Sequence, residues 1–177
     1  MTIQVESKEQ LQRVAKELQS KIGNVAPYKF YEYPFCNENF SILVTKLNDL
    51  EDYNCFISTN YSNGSIFLYL SDSDINHGCH LLASLVASGK PYKSEQVISL
   101  SDNYLGSKGF GGIMFLEPED FELFGELKSK FKFGGKNIKV LSIMPLKSNE
   151  FDDYKKRGMD AIIELFDSEN RDFLSVN

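Results

Sequence analysis

Hydrophobic positions near the N-terminus repeat at helical spacing. Leu11, Val14, Ala15, Leu18 and Ile22 recur three and four residues apart and so share one face. Ser7 and Gln10 fit a capping box, and Gly23-Asn24 supplies the stop. A core-packing helix is predicted over residues 7–22. From Tyr28 the pattern turns to β-prone runs. Tyr28 to Tyr33 is aromatic and is expected to close at Pro34. Phe40 to Leu47, Tyr53 to Tyr61 and Ser65 to Leu70 follow as strands. Asn63-Gly64 between the last two predicts a hairpin, because both residues tolerate positive φ. Apolar residues on both parities of Ile66 to Leu70 imply a strand covered on both faces.

Asp72-Ser73-Asp74 is a helix-start cluster, with carboxylates near the positive end of a helix running from Ile75 to Ala87. Ser88-Gly89-Lys90-Pro91 stops it. Val97 to Leu100 reads as a short strand, Gly106 to Gly112 as a loop, and Ile113 to Leu116 as another strand. A short helical piece is expected around Phe121 and Leu123. Phe131 to Phe133, Gly134-Gly135 and Ile138 to Met144 form a second predicted hairpin. Ser148 is expected to cap one final helix bearing Phe151, Tyr154, Met159, Ile162, Ile163 and Phe166. Gly158 lies inside that helix, at a cost near 1 kcal/mol relative to Ala, and close approach of another backbone would explain it. Phe173 to Val176 is expected to pack down or add an edge strand. These elements predict a single α+β domain over residues 1–177. It has a helix at 7–22, a core at 28–176, and a mostly antiparallel or mixed sheet flanked by three main helices.

Composition narrows the function. The 177 residues carry 19 Lys+Arg against 25 Asp+Glu, a net charge of −6. That balance argues against a general nucleic-acid binder, which needs a basic face. No apolar run approaches the roughly 20 residues of a membrane helix. The N-terminus has Glu6, Glu9 and Glu17 and no apolar leader. The three cysteines, Cys36, Cys55 and Cys79, have neither disulfide-framework nor zinc-knuckle spacing. Reduced thiols in a cytoplasmic protein are expected. Phe and Tyr number 14 and 9, and Trp is absent.

The two histidines, His77 and His80, stand near Asp72, Asp74 and Cys79. Asp74, His77 and His80 recur every third residue along one helix flank, a donor set that Zn²⁺ or Fe²⁺ accepts. The HExxH base is missing, and capping already explains the acids. Cys79 and His80 are neighbours on a helix and point about 100° apart, so they do not make a thiolate–imidazole pair. The glycine-rich stretch 106–112 lacks the GK[ST] ending of a phosphate loop and leads into a strand. No G-x-S-x-G elbow occurs. Tyr28, Tyr31 and Tyr33 remain as aromatic candidates for partner binding.

Several segments together resemble the suppressor of fused domain family. Ile143-Met144-Pro145-Leu146, Glu150, Tyr154-Lys155, Gly158, Ala161-Ile162 and Leu165 are similar to the end of that domain. Cys79 to Leu85 resembles its helix after the central strands, and Gly112 to Pro118 its apolar strand ending in proline. Ile57 to Ser62 with Ile66 to Leu70 resembles its strand pair, with Asn60-Tyr61 in place of Gly-Met. The resemblance covers residues 28–176, most clearly 110–166. It implies a non-enzymatic protein-binding module without cofactor or metal. Some small bacterial relatives of this kind look like immunity proteins, so a basic toxin domain is the expected partner of a cytoplasmic monomer or homodimer. The alternatives are a metal-dependent hydrolase using Asp74, His77 and His80, and a structural homodimer.

Overall fold

The computed structural model describes residues 28–47, 50–60, 64–118, 130–133, 136–168, 171–173 and 175–176, with Glu9, Gln12, Arg13 and Lys16 near the N-terminus. Those four positions are helical. The rest of the expected 7–22 helix and the piece around Phe121 and Leu123 lie outside the described residues.

Among the described residues, eight strands form one mixed sheet. They are β1 (Lys29–Phe35), β2 (Glu38–Leu47), β3 (Leu50–Asn60), β4 (Ser65–Ser71), β5 (Val97–Ser99), β6 (Phe110–Leu116), β7 (Lys130–Phe133) and β8 (Lys136–Lys147). The spatial order is β1-β2-β3-β4-β8-β6-β5, with β7 also paired to β8. β4 and β8 run parallel, and the other pairs are antiparallel. Lys139 of β8 lies opposite both Ser65 and Lys130, so β7 follows the same edge of β8 that β6 occupies further on. Both expected hairpins form, with Asn60 opposite Ser65 and Phe133 opposite Lys136. Gly64 adopts the positive φ of +60° that its turn requires.

β1 runs through Pro34 instead of stopping there, with Pro34 opposite Asn39. It is an edge strand, where a missing N–H is tolerated. Its turn into β2 places Cys36 and Asn37 at positive φ. β6 begins at Phe110, earlier than the glycine-rich sequence suggests. The expected loop divides between a short helix, a turn at Lys108-Gly109 and this strand.

Four helices fully described in the structure join the sheet: α1 (Ile75–Ala87), α2 (Asn103–Ser107), α3 (Ser148–Arg157) and α4 (Met159–Phe166). α1 lies against β1–β4. Its Leu81, Leu82, Ala83 and Leu85 join Ile42, Phe56, Phe67, Tyr69 and Phe115 in the larger core. α4 sends Ile162 into a second core with Met114, Leu116, Met144 and Leu146, which alternation places on the opposite face. Every residue of β4 is buried, as its uninterrupted apolar run requires. No helix among the described residues is long and apolar enough to cross a membrane.

Two glycines set how closely the helices approach. A Cβ on Gly78 would fall 2.1 Å from the Phe56 ring, and one on Gly112 would fall 2.5 Å from Phe151. Gly158 has a different role from the one its position suggests. Nothing lies within 4 Å of a Cβ there, and its φ of +67° separates α3 from α4. The expected single final helix is therefore two, joined by a residue whose conformation suits only glycine. Ser148 is the first residue of α3 rather than its cap. Its hydroxyl donates to the Gly109 carbonyl, while Glu150 accepts from the Lys147 N–H.

The tail packs down. Arg171 donates to Glu150 at 2.7 Å, with both side chains under one-tenth exposed, and its guanidinium lies 5.2 Å from the Phe173 ring. Phe173 joins the second core, and Val176 enters the first. Gly78→Ala is expected to cost about 1–3 kcal/mol through overpacking, with partial rescue by Phe56→Leu. Gly158→Ala is expected to cost a similar amount through backbone strain, which Phe56→Leu leaves unchanged. Urea unfolding of the single and double variants measures both.

Candidate functional site

Two aspartates beginning two helices bring the chemistry together. Asp74 caps α1: one carboxylate oxygen accepts the His77 N–H at 3.0 Å, and the other lies 2.6 Å from His77 Nδ1. Asp102 caps α2, accepting the Leu105 N–H at 2.8 Å. Each cap satisfies a helix N–H that would otherwise lack a partner. The second Asp102 oxygen stands 3.7 Å from His80 Nε2, with the carboxylate only 6% exposed.

The two imidazoles have separate partners. His80 Nδ1 hydrogen-bonds the Tyr33 hydroxyl at 3.0 Å, and its ring meets the edges of Tyr33 and Phe35. His77 stacks on Tyr104 with centroids 3.6 Å apart and planes 8° from parallel. His77 thus works with Asp74 and His80 with Asp102, whereas the sequence grouped Asp74, His77 and His80 on one flank. Among the described residues, no three His, Cys, Asp or Glu side chains are placed to hold a metal ion. Cys79 is buried, and desolvation pushes its thiol up to about 12, so it is not a thiolate beside His80. Cys55 is raised in the same way to about 12, and Cys36 is exposed; all three cysteines are free.

Burial and, after it, nearby carboxylates set the electrostatics here. Partial burial raises the Tyr104 hydroxyl above its ordinary value, and Asp74, Asp72 and Asp102 add to the shift. Tyr53 is raised by burial and then by Asp172, to which it donates at 3.2 Å, with Asp72 and Asp52 contributing. Tyr69 is pushed up to about 12, mainly by burial. The Ser71 and Ser73 hydroxyls temper that shift, but neither is in hydrogen-bonding geometry with Tyr69. The tail reaches this region too, because Asp72 accepts from the Ser175 hydroxyl at 2.7 Å and the Val176 N–H at 2.8 Å.

Of the three tyrosines singled out, Tyr33 joins this site through His80. Tyr31 is half-buried against the larger core. Tyr28 packs edge-on against Phe30. Asp102 and Tyr104 escaped sequence reading, although Asp102-Asn103 ahead of Tyr104-Leu105 carries an N-cap signal. Asp102 also borders a groove of about 370 Å³ between α1 and β5, lined in part by Leu81, Leu85, Tyr92, Ile98 and Leu100.

The suppressor of fused protein family matches this chain over residues 69–177, more than half its length. The chain belongs to the suppressor of fused family. The matched segment holds both aspartate caps, both histidines and Tyr104; Tyr33 lies before it. A solved structure described as a suppressor of fused homologue from Neisseria gonorrhoeae FA 1090 superposes with a TM-score of 0.70. At 15% identity it covers 94% of this chain and 93% of its own, and so supports the fold. No curated protein matches. Suppressor of fused domains are protein-interaction modules.

Burial alone would raise Asp74, but hydrogen bonds from the His77 backbone and ring, with the ring's charge, bring it below its ordinary value. A carboxylate lowered on folding stabilises the fold above its unfolded pKa, near 4, and loses that effect as pH falls through the lowered value. Asp74→Ala is therefore expected to cost about 1 kcal/mol at pH 7. Urea unfolding at pH 7 and pH 3 should show the deficit shrinking at the lower pH.

Proposed function

We propose that this suppressor of fused domain is a non-enzymatic binding module for a basic protein, and that it acts as an immunity protein masking a toxin domain in a bacterial cytoplasm. One observation carries the reading: Asp52, Asp72, Asp74, Asp102 and Asp172 crowd around Tyr53 and Tyr104 at one end of the sheet. Such a surface attracts a cationic partner and suppresses acidic ones. Net charge of −6 extends the attraction beyond direct contact. The division of His77 and His80 between separate partners, with two thiols held protonated, favours recognition over catalysis. Tyr28, Tyr31 and Tyr33, on or beside edge strand β1, are proposed to extend the contact.

The test is co-expression with a basic protein encoded beside this gene. The expected result is a stable complex and protection of the host cell. Asp52→Asn with Asp74→Asn should weaken the complex about tenfold at low salt, and the deficit should narrow as screening rises. Neither complex nor protection would sink the immunity role.

A further inference from the structure

Three buried hydroxyls gather where β4 gives way to α1. Tyr69 and Ser71 are two residues apart on one strand, so they share the face that α1 covers. Ser73 follows in the turn. Its N–H donates to Ser71 Oγ at 3.0 Å, and its carbonyl accepts from Asn54 Nδ2 at 3.0 Å. These two bonds hold Ser73 beside Ser71. The Tyr69 ring is fixed separately, stacked on Phe56 with centroids 5.7 Å apart. None of the three residues is more than 1% exposed. Among the described residues, though, the hydroxyls of Tyr69 and Ser73 have no hydrogen-bond partner. Both serine hydroxyls lie near enough to the tyrosine oxygen to act on its acidity, yet neither is aligned to bond it. Buried polar atoms without partners are rare and costly, and two of them beside a third mark a polar spot in an apolar layer. Ser142 provides the contrast. Its hydroxyl is also buried and unpartnered, but it lies opposite Leu68 and Leu116, whose side chains offer a water nothing to bond.

We propose that the Tyr69, Ser71 and Ser73 hydroxyls bind one internal water molecule, which accepts from Tyr69 and donates to the two serines. About three hydrogen bonds are the usual complement of a buried water. The donor set favours water over a metal ion, because three neutral hydroxyls fall short of the roughly six to eight oxygens, carboxylates among them, that a cation such as Ca²⁺ collects. The bridge ties the last turns of β4 to the segment that starts α1. It stands on the fold alone and does not depend on the domain binding a basic protein.

The test joins a crystal structure of the full chain to urea unfolding of Tyr69→Phe, Ser73→Ala and the double variant. Phe keeps the ring that stacks on Phe56, and Ala keeps both backbone bonds of the turn, so all three are expected to fold. The crystal should show one ordered water oxygen about 3 Å from each of the three hydroxyl oxygens. Each single variant should lower the folding equilibrium constant about fivefold. Both hydroxyls act through the same water, so the double variant should fall at least about threefold short of the product of the two losses. Tyr69→Phe with Ser142→Ala should instead give the full product. A direct Tyr69–Ser73 hydrogen bond in the crystal, or a metal ion in place of the water, would overturn the site. Independent effects of Tyr69→Phe and Ser73→Ala would overturn it as well.

Discussion

Everything in this fold answers to one constraint: its central strands have no wet face. A cross-strand row of Leu43, Ile57, Leu68, Ser142 and Leu116 runs over one side of the sheet. Phe67, Leu141, Phe115 and Ile143 line the other. Burying one such apolar side chain is worth about 1.5–3 kcal/mol, so the rows reward cover on both sides at once. Helices must then come close, and close approach to a pleated surface limits side-chain size at the contact. Gly78 under Phe56 and Gly112 under Phe151 meet that limit on opposite faces. The parallel pairing of β4 with β8 belongs to the same logic, because parallel pairs are at home where both faces are covered.

Elements marked by local chemistry were legible from sequence. α1 runs from Ile75 to Ala87 as expected because a cap, an apolar face and a Ser-Gly stop agree. Both hairpins are announced by glycines at their turns. Misreadings arose where distant contacts decide. Glycines at 111 and 112 signal a loop by composition, yet they are strand positions kept bare for α3. Gly158 signals packing by its helical surroundings, yet backbone conformation alone explains it. Pro34 stays in a strand because only topology reveals that β1 is at an edge.

The site was half visible for a related reason. Asp74, His77 and His80 are near in sequence, so periodicity grouped them. Their true partners, Tyr104, Asp102 and Tyr33, come from other elements, and His80 reaches 47 residues back to Tyr33. A three-residue repeat thus looked like one donor set and is two. Overall charge was readable at once, but its concentration around Tyr53 and Tyr104 depends on how the tail and α2 pack against α1.

The tail has a consequence for how the domain opens. Arg171 and Phe173 grip the side of α3 and α4, while Ser175 and Val176 grip Asp72 and the core beneath α1. Arg171, Phe173, Ser175 and Val176 therefore act as a tie across the end of the sheet, linking its two layers. Detaching it would bare Glu150 without its counter-charge and free Asp72 from two donors in the same event. Amide exchange at the two helical layers should consequently rise and fall together, making a sandwich of two cores behave as one cooperative body.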